Sequence, residues 1–551
     1  METPPGELTV ADLVLRRVDD DGVGVRFGDR QWSWQEVVAE ARARAGLLAL
    51  LRRDGPFHVG VLLENTPEYL FLLAGAALAG ATVVGINPTR RGGELAHDIR
   101  HTDCQLIVTD RAGRADLDGL DLGVTSEQVL GADEDGYHAL VDEHRDDTLP
   151  TSLPDAATLF LLIFTSGSTG APKAVRMTHG RAAGIAKRVP FTRDDVLYVA
   201  MPLFHGNALN AAVFPAFASG ASMVLRPRFS ASGFLPDVRR YGCTFFNTVG
   251  RAIAHINATP PTDHDRDHQL KWVLGPETAD VDKRAFTERF GVPLFEGYGS
   301  SENAIILNPA PNARPGALGT APNGSDIAVV DQQTGIECEV ALLDEAGRLL
   351  NAERAIGELV GRNLSARFEG YYNNPEADAE RLHDGWYWSG DLAYRADDGV
   401  FYFAGRSGDW LRVDSENFAA APVERILNRL PGAAGVAVYA VPDAVTGDQV
   451  MAALELTVGA AFDPEAFAAF VAAQPDLGPK WVPRYVRIVD QLPITATNKL
   501  NKAPLRTDRW RTSDPLWHRP PRTSSYVPFT TADADELEAT FAANRRGNLL
   551  T

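Results

Sequence analysis

The fold of this chain is decided by one stretch, Thr158-Leu-Phe-Leu-Leu-Ile-Phe-Thr-Ser-Gly-Ser-Thr-Gly-Ala-Pro-Lys173. Residues 158–164 are almost all apolar, which predicts a buried strand. Small, hydroxyl-bearing and glycine residues follow at 165–172, and Lys173 ends the stretch. A polyphosphate is bound by such groups: backbone N–H groups, hydroxyls and a cation that follow a strand.

This loop differs from the P-loop GxxxxGK[ST], in which a lysine directly follows the second glycine and a hydroxyl residue follows the lysine. Here Ala171 and Pro172 separate Gly170 from Lys173, and Ala174 follows the lysine. The sequence therefore excludes that motif. The length of the string still favours a functional loop over an ordinary Ser- and Gly-rich surface loop.

The composition is that of a large, acidic globular protein. Its 551 residues are too many for one ordinary core, so two or more domains are expected. The net charge of -20 disfavours binding to nucleic acid or to an anionic membrane through the overall field. Cys104, Cys243 and Cys338 lack metal-binding spacing, and their odd number favours a reducing cytoplasm over a disulfide framework. The first residues lack a basic region followed by an apolar one, so no signal peptide is expected.

Strand-like apolar runs alternate with Ala- and Leu-rich helical patterns, as at 58–63, 105–109, 221–225 and 271–274. This alternation predicts a layered α/β fold with mostly parallel strands. Residues 69–87 carry no charge and approach the length of a membrane-spanning helix, but Gly80 favours a buried helix followed by a strand. The acidic residues 111–149 are predicted to form a loop-rich bridge between two layered subdomains.

The pattern changes near residue 405, where an apolar strand ends in Gly405-Arg-Ser-Gly-Asp409. We predict a large domain at residues 1–407 and a smaller, mobile α+β domain at 408–551. The tail after Arg506 is rich in Pro, Arg and Ser and is predicted to be extended.

Three further strings follow the loop in order: Glu296-Gly-Tyr-Gly-Ser-Ser-Glu302, Trp388-Ser-Gly-Asp391 and Ile494-Thr-Ala-Thr-Asn-Lys-Leu-Asn-Lys502. The whole series resembles the motifs of the adenylate-forming superfamily, which includes acyl-CoA synthetases, peptide-synthetase adenylation domains and firefly-type luciferases. The resemblance extends over most of the chain. It implies a large acetyl-CoA synthetase-like α/β domain, a small mobile α+β domain, and the use of ATP, Mg²⁺ and coenzyme A.

The resemblance implies nucleotide-binding roles for residues of these strings. Tyr298 is expected to stack on adenine, Ser301 to meet the α-phosphate, and Glu302 to bind Mg²⁺. Asp391 is expected to accept hydrogen bonds from both ribose hydroxyls, and Arg406 to contact the ribose and phosphate region.

The segment Gly275-Pro-Glu277 matches the family segment that lines the other face of the adenine, but an ordinary turn explains the three residues equally well. The predicted nucleotide-binding set is Thr165, Ser166, Gly167, Ser168, Thr169, Gly170, Lys173, Gly275, Pro276, Glu277, Tyr298, Gly299, Ser301, Asp391 and Arg406.

The predicted catalytic residues are Lys499, His205 and Glu302. By resemblance, Lys499 bridges the attacking carboxylate and the α-phosphate, a role that suits a compact ammonium on a flexible stem. Lys502 is expected to be a solvated neighbour. His205, in Pro202-Leu-Phe-His-Gly206, is expected near the substrate carboxylate, and a structural histidine at a strand end is the alternative.

The acyl group is predicted to contact mostly apolar or small residues: His205, Asn207, Phe245, Phe246, Asn247, Gly250 and Gly297. This set offers no second cationic anchor, which argues against amino acids and dicarboxylates as substrates. Strings such as Asn87-Pro-Thr-Arg-Arg91 and Tyr526-Val-Pro-Phe-Thr530 resemble the fatty-acid-transport and very-long-chain acyl-CoA synthetase branch. That branch includes bile-acid-type ligases, so long-chain and polycyclic acids are both expected.

The chain departs from the family pattern at the predicted hinge and coenzyme A path. Gly408 stands at the hinge, where its wide range of backbone angles suits a rotation. Ser415 replaces a glycine that borders the pantetheine tunnel in the family, and Arg412 lies on the same predicted path. One alternative is therefore an adenylation-only enzyme that serves a partner ligase or carrier protein. A second is a nucleotide-binding protein without turnover.

Overall fold

The computed structural model describes residues 8–145, 147, 152–165, 173–278, 280–310, 313–314, 316–344, 349–406, 410–413, 416–445, 447–474, 477–495 and 499–550. Several predicted functional residues lie outside these ranges: Ser166, Gly167, Ser168, Thr169, Gly170, Gly408 and Ser415.

A six-stranded sheet contains the strand that opens the phosphate loop. Its strands, in spatial order, are Val129–Gly131, Cys104–Thr109, His58–Leu62, Thr82–Gly85, Leu159–Thr165 and Lys173–Thr178. All neighbours are parallel except the last pair, in which Thr165 lies opposite Lys173. The pairing therefore brings the two ends of the loop together at one edge of the sheet.

A seven-stranded sheet lies beside it in the same large domain. Its order is Leu294–Phe295, Trp272–Leu274, Phe245–Asn247, Val196–Val199, Ser222–Leu225, Val23–Phe27 and Arg30–Ser33. Only the last pair is antiparallel. Because parallel strands point their carboxyl ends to one edge, the loops after residues 247, 274 and 295 emerge on the same side.

The uncharged segment 69–87 is buried as predicted. The helix Pro67–Ala79 ends at Gly80, which has a φ of 69°, and the strand Thr82–Gly85 follows with every residue buried. Helices cover both faces of such a sheet, so near-continuous apolar sequence needs no lipid. No described helix is both long enough and apolar enough to cross a membrane.

A third, antiparallel sheet completes the large domain. Its strands are Ala317–Thr320, Val400–Arg406, Trp386–Arg395, Gly357–Gly361 and Ile327–Val330, and Leu382–His383 pairs with Trp386–Arg395. The register places Asp391 opposite Arg406, so this sheet joins two of the predicted nucleotide-binding positions.

The remaining residues form a smaller α+β unit with its own core, in which Leu411 and Phe418 pack with Val438 and Trp481. Its strands are Trp410–Val413 with Glu416–Ala419, and Ala433–Pro442, Asp448–Leu456, Tyr485–Val489, Leu516–His518 and Val527–Pro528. The predicted boundary between residues 407 and 408 lies outside the described residues and stays a prediction.

The described α-helices are Val10–Leu15, Trp34–Leu51, Pro67–Ala79, Gly92–His101, Arg111–Leu117, Asp135–Glu143, His179–Ala186, Gly206–Ala208, Phe214–Ser219, Ala231–Tyr241, Gly250–Asn257, Asp280–Phe290, Ala352–Ala355, Pro375–Arg381, Ala420–Leu427, Pro464–Ala472, Ala503–Asp508 and Thr531–Ala543. Leu209–Val213 is a π-helix, and the 3₁₀ turns are Ser126–Gln128, Ser365–Arg367 and Gly547–Leu550.

Two expectations about irregular segments are wrong. Residues 111–145 form two helices, and Val129–Gly131 adds an edge strand to the six-stranded sheet. The tail after Arg506 adds two strands to the C-terminal sheet and ends with the helix Thr531–Ala543. In both cases short strands are stabilised by pairing with a neighbouring strand, which local composition does not reveal.

Candidate active site

The main cavity measures about 1100 Å³ and lies between the large and small domains. Its walls come from the loops after the strands Trp272–Leu274 and Leu294–Phe295, from the antiparallel sheet, and from the helix Ala420–Leu427. The predicted site residues that line it are Thr165, Lys173, His205, Asn207, Phe245, Pro276, Glu277, Gly297, Tyr298, Gly299, Ser301, Glu302, Asp391 and Lys499. The fold therefore gathers residues from motifs that are hundreds of positions apart.

The two described ends of the phosphate loop, Thr165 and Lys173, face this cavity. The Lys173 side chain is only 7 % exposed, and its Nζ lies 2.6 Å from Glu380 Oε2. The hydrogen bond from Lys173 lowers the pKa of the Glu380 carboxyl. The lysine is thus held in place, where it can contribute positive charge to an anionic ligand.

Tyr298 and Asp391 meet although 93 positions separate them: the Tyr298 hydroxyl donates to Asp391 Oδ2 at 2.6 Å. Burial and the neighbouring Asp391 carboxylate raise the pKa of Tyr298 well above its usual value, so the phenol remains a neutral donor. The Asp391 residue is 8 % exposed and lines the cavity, where its carboxylate can accept ligand hydroxyls.

The predicted magnesium ligand Glu302 is oriented by a residue that the sequence did not indicate. The Tyr371 hydroxyl donates to Glu302 Oε1 at 2.8 Å, and Arg381 Nε lies 3.4 Å from the same hydroxyl. All three residues line the cavity. A carboxylate fixed in this way fits Mg²⁺, which prefers one or two carboxylates together with phosphate oxygens.

Lys499 reaches from the small domain into the cavity. Its Nζ lies 2.7 Å from Glu277 Oε1 in the large domain, and the two side chains are 33 % and 53 % exposed. Glu277 has a φ of 61°, a left-handed conformation that is uncommon for residues other than glycine. The segment Gly275-Pro-Glu277 is therefore a tight turn and also a cavity wall that contacts the predicted catalytic lysine.

His205 lies at the cavity wall just before the helix Gly206–Ala208 and the π-helix Leu209–Val213. Its Nδ1 accepts a 3.4 Å hydrogen bond from the Asn207 backbone N–H. Burial and the Lys499 charge lower the pKa of His205 to about 4, so the ring is neutral at physiological pH. A neutral imidazole can orient a substrate carboxylate without forming an ion pair that would neutralise the attacking oxygen. The predicted substrate contact stays a prediction. The structure places His205 at the start of a short helix and not at a strand end, which was the alternative.

Three predicted acyl contacts do not line the cavity: Phe246, Asn247 and Gly250. Side chains alternate along the strand Phe245–Asn247, so Phe245 faces the cavity while Phe246 packs against Tyr198 and Phe234 on the other face. Asn247 is 1 % exposed, with its Nδ2 3.5 Å from the Asn207 carbonyl oxygen. The placement of Phe246 supports a packing role. Asn247 lies on the Phe245 face of the strand, and its predicted acyl contact stays a prediction.

Gly250 instead allows the close approach of two backbone segments. Its N–H donates to the Pro276 carbonyl at 3.0 Å, and a Cβ at position 250 would lie 2.0 Å from the Glu277 carbonyl oxygen. Only glycine fits here without moving the turn that carries Glu277. The helix Gly250–Asn257 therefore supports the wall that contacts Lys499.

Replacing Gly250 with alanine is expected to lower the melting temperature and the rate of acid-dependent pyrophosphate exchange. The added methyl must displace the backbone of the Glu277 turn, at a cost of about 1–3 kcal/mol. Gly184→Ala is the matched control, because that helical glycine has nothing within 4 Å of an added Cβ. The control should be neutral or slightly stabilised. Equal behaviour of the two variants would contradict this role for Gly250.

The expectation that Lys502 is a solvated neighbour is wrong. Its side chain is 11 % exposed, and its Nζ lies 2.8 Å from Glu424 Oε1. Glu424, in the string Pro422-Val-Glu424, also accepts a 2.8 Å hydrogen bond from the Val438 N–H and lines the cavity. This ion pair holds the Lys499 segment against the helix Ala420–Leu427.

For Arg406 and Arg412, the structure shows the backbone positions. Arg406 pairs with Asp391 across the antiparallel sheet, and Arg412 pairs with Asn417 in the strand pair that opens the small domain. Their predicted ribose and coenzyme A contacts stay predictions, as do those of Gly408 and Ser415.

Comparisons with known proteins agree with this arrangement. A family model of AMP-binding enzymes matches residues 16–372, and a model of the C-terminal domain of AMP-binding enzymes matches residues 422–499. The steroid-22-oyl-CoA synthetase of Rhodococcus jostii (strain RHA1) is 51% identical over 549 residues, covering 98% of this chain and 99% of the relative.

Two further proteins extend these comparisons. The medium/long-chain-fatty-acid–CoA ligase FadD17 of Mycobacterium tuberculosis is 44% identical over 518 residues, covering 93% of this chain and 99% of the relative. The crystal structure of the anthranilate CoA ligase AuaEII in complex with anthranoyl-AMP superposes with a TM-score of 0.80 at 22% identity, covering 91% of this chain and 97% of that one. The chain therefore belongs to the family of AMP-binding enzymes, and within it to the adenylate-forming acyl-CoA synthetases.

Proposed function

We propose that this chain activates a bulky or long-chain lipophilic carboxylic acid with ATP and transfers the acyl group to coenzyme A. The carboxylate attacks the α-phosphate, which gives an acyl-adenylate and pyrophosphate. The thiol of coenzyme A then displaces AMP. The observation that carries the proposal is the reach of Lys499 into the cavity that also contains Tyr298, Glu302 and Asp391.

The residues around the cavity suit the first step. The Lys499 ammonium can stabilise negative charge that develops at the α-phosphate, and Lys173 can neutralise the departing pyrophosphate. Glu302, oriented by Tyr371, would hold Mg²⁺, which supplies further charge neutralisation when it is bound. Neutral His205 lies where it can position the substrate carboxylate.

The apolar wall of the cavity supports a lipophilic substrate. It includes Ile185, Val189, Phe245, Trp272 and Leu274. The names of the two relatives add a steroid-type acid and medium- to long-chain fatty acids as candidate substrates. A cavity of about 1100 Å³ has room for nucleotide and substrate together.

Transfer to coenzyme A requires Lys499 to leave its position beside Glu277, and we place the rotation at the predicted hinge Gly408. The adenylation-only alternative rests on Ser415, which lies outside the described residues. The relatives are named as CoA ligases, which favours the complete reaction. We also propose a reducing cytoplasm, because Cys104, Cys243 and Cys338 are all free thiols.

Incubation of the purified chain with MgATP and a panel of acids tests the proposal by mass spectrometry. The panel contains a steroid with a carboxylated side chain, a long-chain fatty acid and benzoic acid, each with and without coenzyme A. We expect acyl-AMP from a lipophilic acid without coenzyme A and its acyl-CoA when coenzyme A is added. Acyl-AMP that never yields the thioester would support the adenylation-only alternative. The absence of an adenylate with every acid would overturn the proposal.

A further inference from the structure

The cationic residue Arg188 lines the main cavity two residues after the end of the helix His179–Ala186. Its guanidinium forms no hydrogen bond or ion pair within the part of the chain that the structure describes. The predicted acyl contacts do not include Arg188, because a single arginine after a helix belongs to no motif.

The charges around Arg188 leave it uncompensated. The Arg188 residue remains exposed to solvent in the open cavity. Partial burial lowers its pKa below the usual arginine value, and the positive charges of Arg181 and Arg367 lower it further. Arg181 Nη2 is itself buried without a hydrogen-bond partner. The nearby carboxylate of Glu369 already accepts hydrogen bonds from the backbone N–H and the hydroxyl of Thr178. Among these residues only Arg188 lines the cavity, where its donors have no partner within the described residues.

Arg188 lies at the acyl side of the cavity. Close by in sequence, the Phe191 ring packs 4.9 Å from that of Phe245 and 5.9 Å from that of Trp272. Phe245 and Trp272 lie opposite each other in neighbouring strands. Each is two residues before the end of its strand, at Asn247 and Leu274. At ~3.3 Å per strand residue, they lie about 7 Å deeper than the strand ends.

The predicted reacting groups, including Lys499, lie beyond the carboxyl ends of these two strands. Glu277, which contacts Lys499, follows Leu274 in the chain. Glu277 and Lys499 therefore lie at the strand-end side of the cavity, and Phe245 and Trp272 line it at a deeper level. An acid whose carboxylate is at Lys499 would therefore extend its far end toward Arg188.

We propose that Arg188 determines substrate specificity by binding a hydrogen-bond-accepting oxygen, of a carbonyl or a carboxylate, at the end of the acid farthest from the reacting carboxyl. This inference rests on the proposed function. A guanidinium offers five N–H donors, which suit either kind of oxygen. An acid with a purely apolar far end would cover the guanidinium without providing a partner, and binding would be weakened.

Two matched pairs of acids test this proposal. One pair is a steroid carboxylic acid with a ketone on the ring farthest from the carboxyl group and its analogue without that ketone. The other pair is hexadecanedioic and hexadecanoic acid. We expect the wild-type chain to prefer the oxygenated member of at least one pair by about ten- to hundredfold in kcat/KM. The pair that shows the preference identifies the oxygen as ketone or carboxylate.

In Arg188→Met we expect that preference to shrink to about threefold or less, because a charged donor is replaced by an apolar chain of similar length. The oxygenated acid should lose activity, and its apolar counterpart should gain activity because no guanidinium is left to be covered without a partner. An unchanged melting temperature shows that the variant is folded. Arg188→Lys should restore part of the preference. Lys187→Met, at an exposed neighbour that does not line the cavity, should keep it in full.

The outcomes separate this inference from the proposed function. Equal activation of both members of each pair by the wild type would overturn the role of Arg188 and leave the proposed function intact. An equal loss with both members in Arg188→Met would also overturn it. Failure of the wild type to activate any of the four acids would overturn the proposed function and the inference together.

Discussion

Replacing Lys499 with alanine is expected to reduce acid-dependent pyrophosphate exchange by about a hundred- to thousandfold, the usual effect of removing one group that stabilises transition-state charge. Lys499 belongs to the small domain. It lies beside Glu277 of the large domain and lines the main cavity. ATP affinity should change little, because Tyr298, Asp391 and Lys173 remain in place. Exchange of labelled pyrophosphate into ATP measures the first effect, and calorimetric ATP titration measures the second.

Lys187→Ala is the matched control for this experiment, since Lys187 is exposed and does not line the cavity. It should exchange pyrophosphate at the wild-type rate. Wild-type exchange in Lys499→Ala would show that another group stabilises the adenylation step. A loss of ATP binding as large as the loss of exchange would assign Lys499 to nucleotide binding rather than to catalysis.

Replacing Glu302 with glutamine is expected to lower kcat/KM for adenylation by about a hundredfold at limiting Mg²⁺, because the carboxylate charge that would bind the ion is lost. Raising the Mg²⁺ concentration should restore part of the activity. The measurement is the pyrophosphate exchange rate as a function of free Mg²⁺ in the wild type and the variant.

Tyr371→Phe is expected to reduce adenylation less than Glu302→Gln does. It removes the 2.8 Å hydrogen bond that orients Glu302 and keeps the carboxylate charge. A loss of about tenfold is expected, in line with other groups that orient metal ligands. If Glu302→Gln has the same Mg²⁺ dependence as the wild type, Glu302 is not the metal ligand. If Tyr371→Phe is impaired more than Glu302→Gln, the tyrosine has a role of its own.

The order of motifs along the chain predicted the fold class, the family and a group of residues on the cavity wall. Thr165, Tyr298, Glu302, Asp391 and Lys499 belong to strings long enough to be specific, and the fold brings all of them to one cavity. Their roles toward the nucleotide remain predictions that the two variants above address. Such motifs can be recognised in a sequence because the chemistry requires particular residue types at a particular spacing.

The partners of these residues were not predictable from the sequence. Tyr371 beside Glu302 and Glu380 beside Lys173 are contacts between elements far apart in the chain, and single residues outside motifs carry no signal. For Phe246 and Gly250, the structure supports roles other than the predicted acyl contact, for a different reason. Side-chain alternation turns Phe246 away, and Gly250 is constrained by a backbone contact that only the folded chain shows.

Transfer of a labelled carboxylate oxygen tests the central claim most directly. The acid is labelled with the heavy stable isotope of oxygen in its carboxyl group and incubated with the chain, MgATP and coenzyme A. Because the carboxylate attacks the α-phosphate, we predict one labelled oxygen in AMP, unlabelled pyrophosphate, and an acyl-CoA that keeps the other label. Formation of ADP with labelled phosphate, or AMP without label, would contradict acyl-adenylate formation.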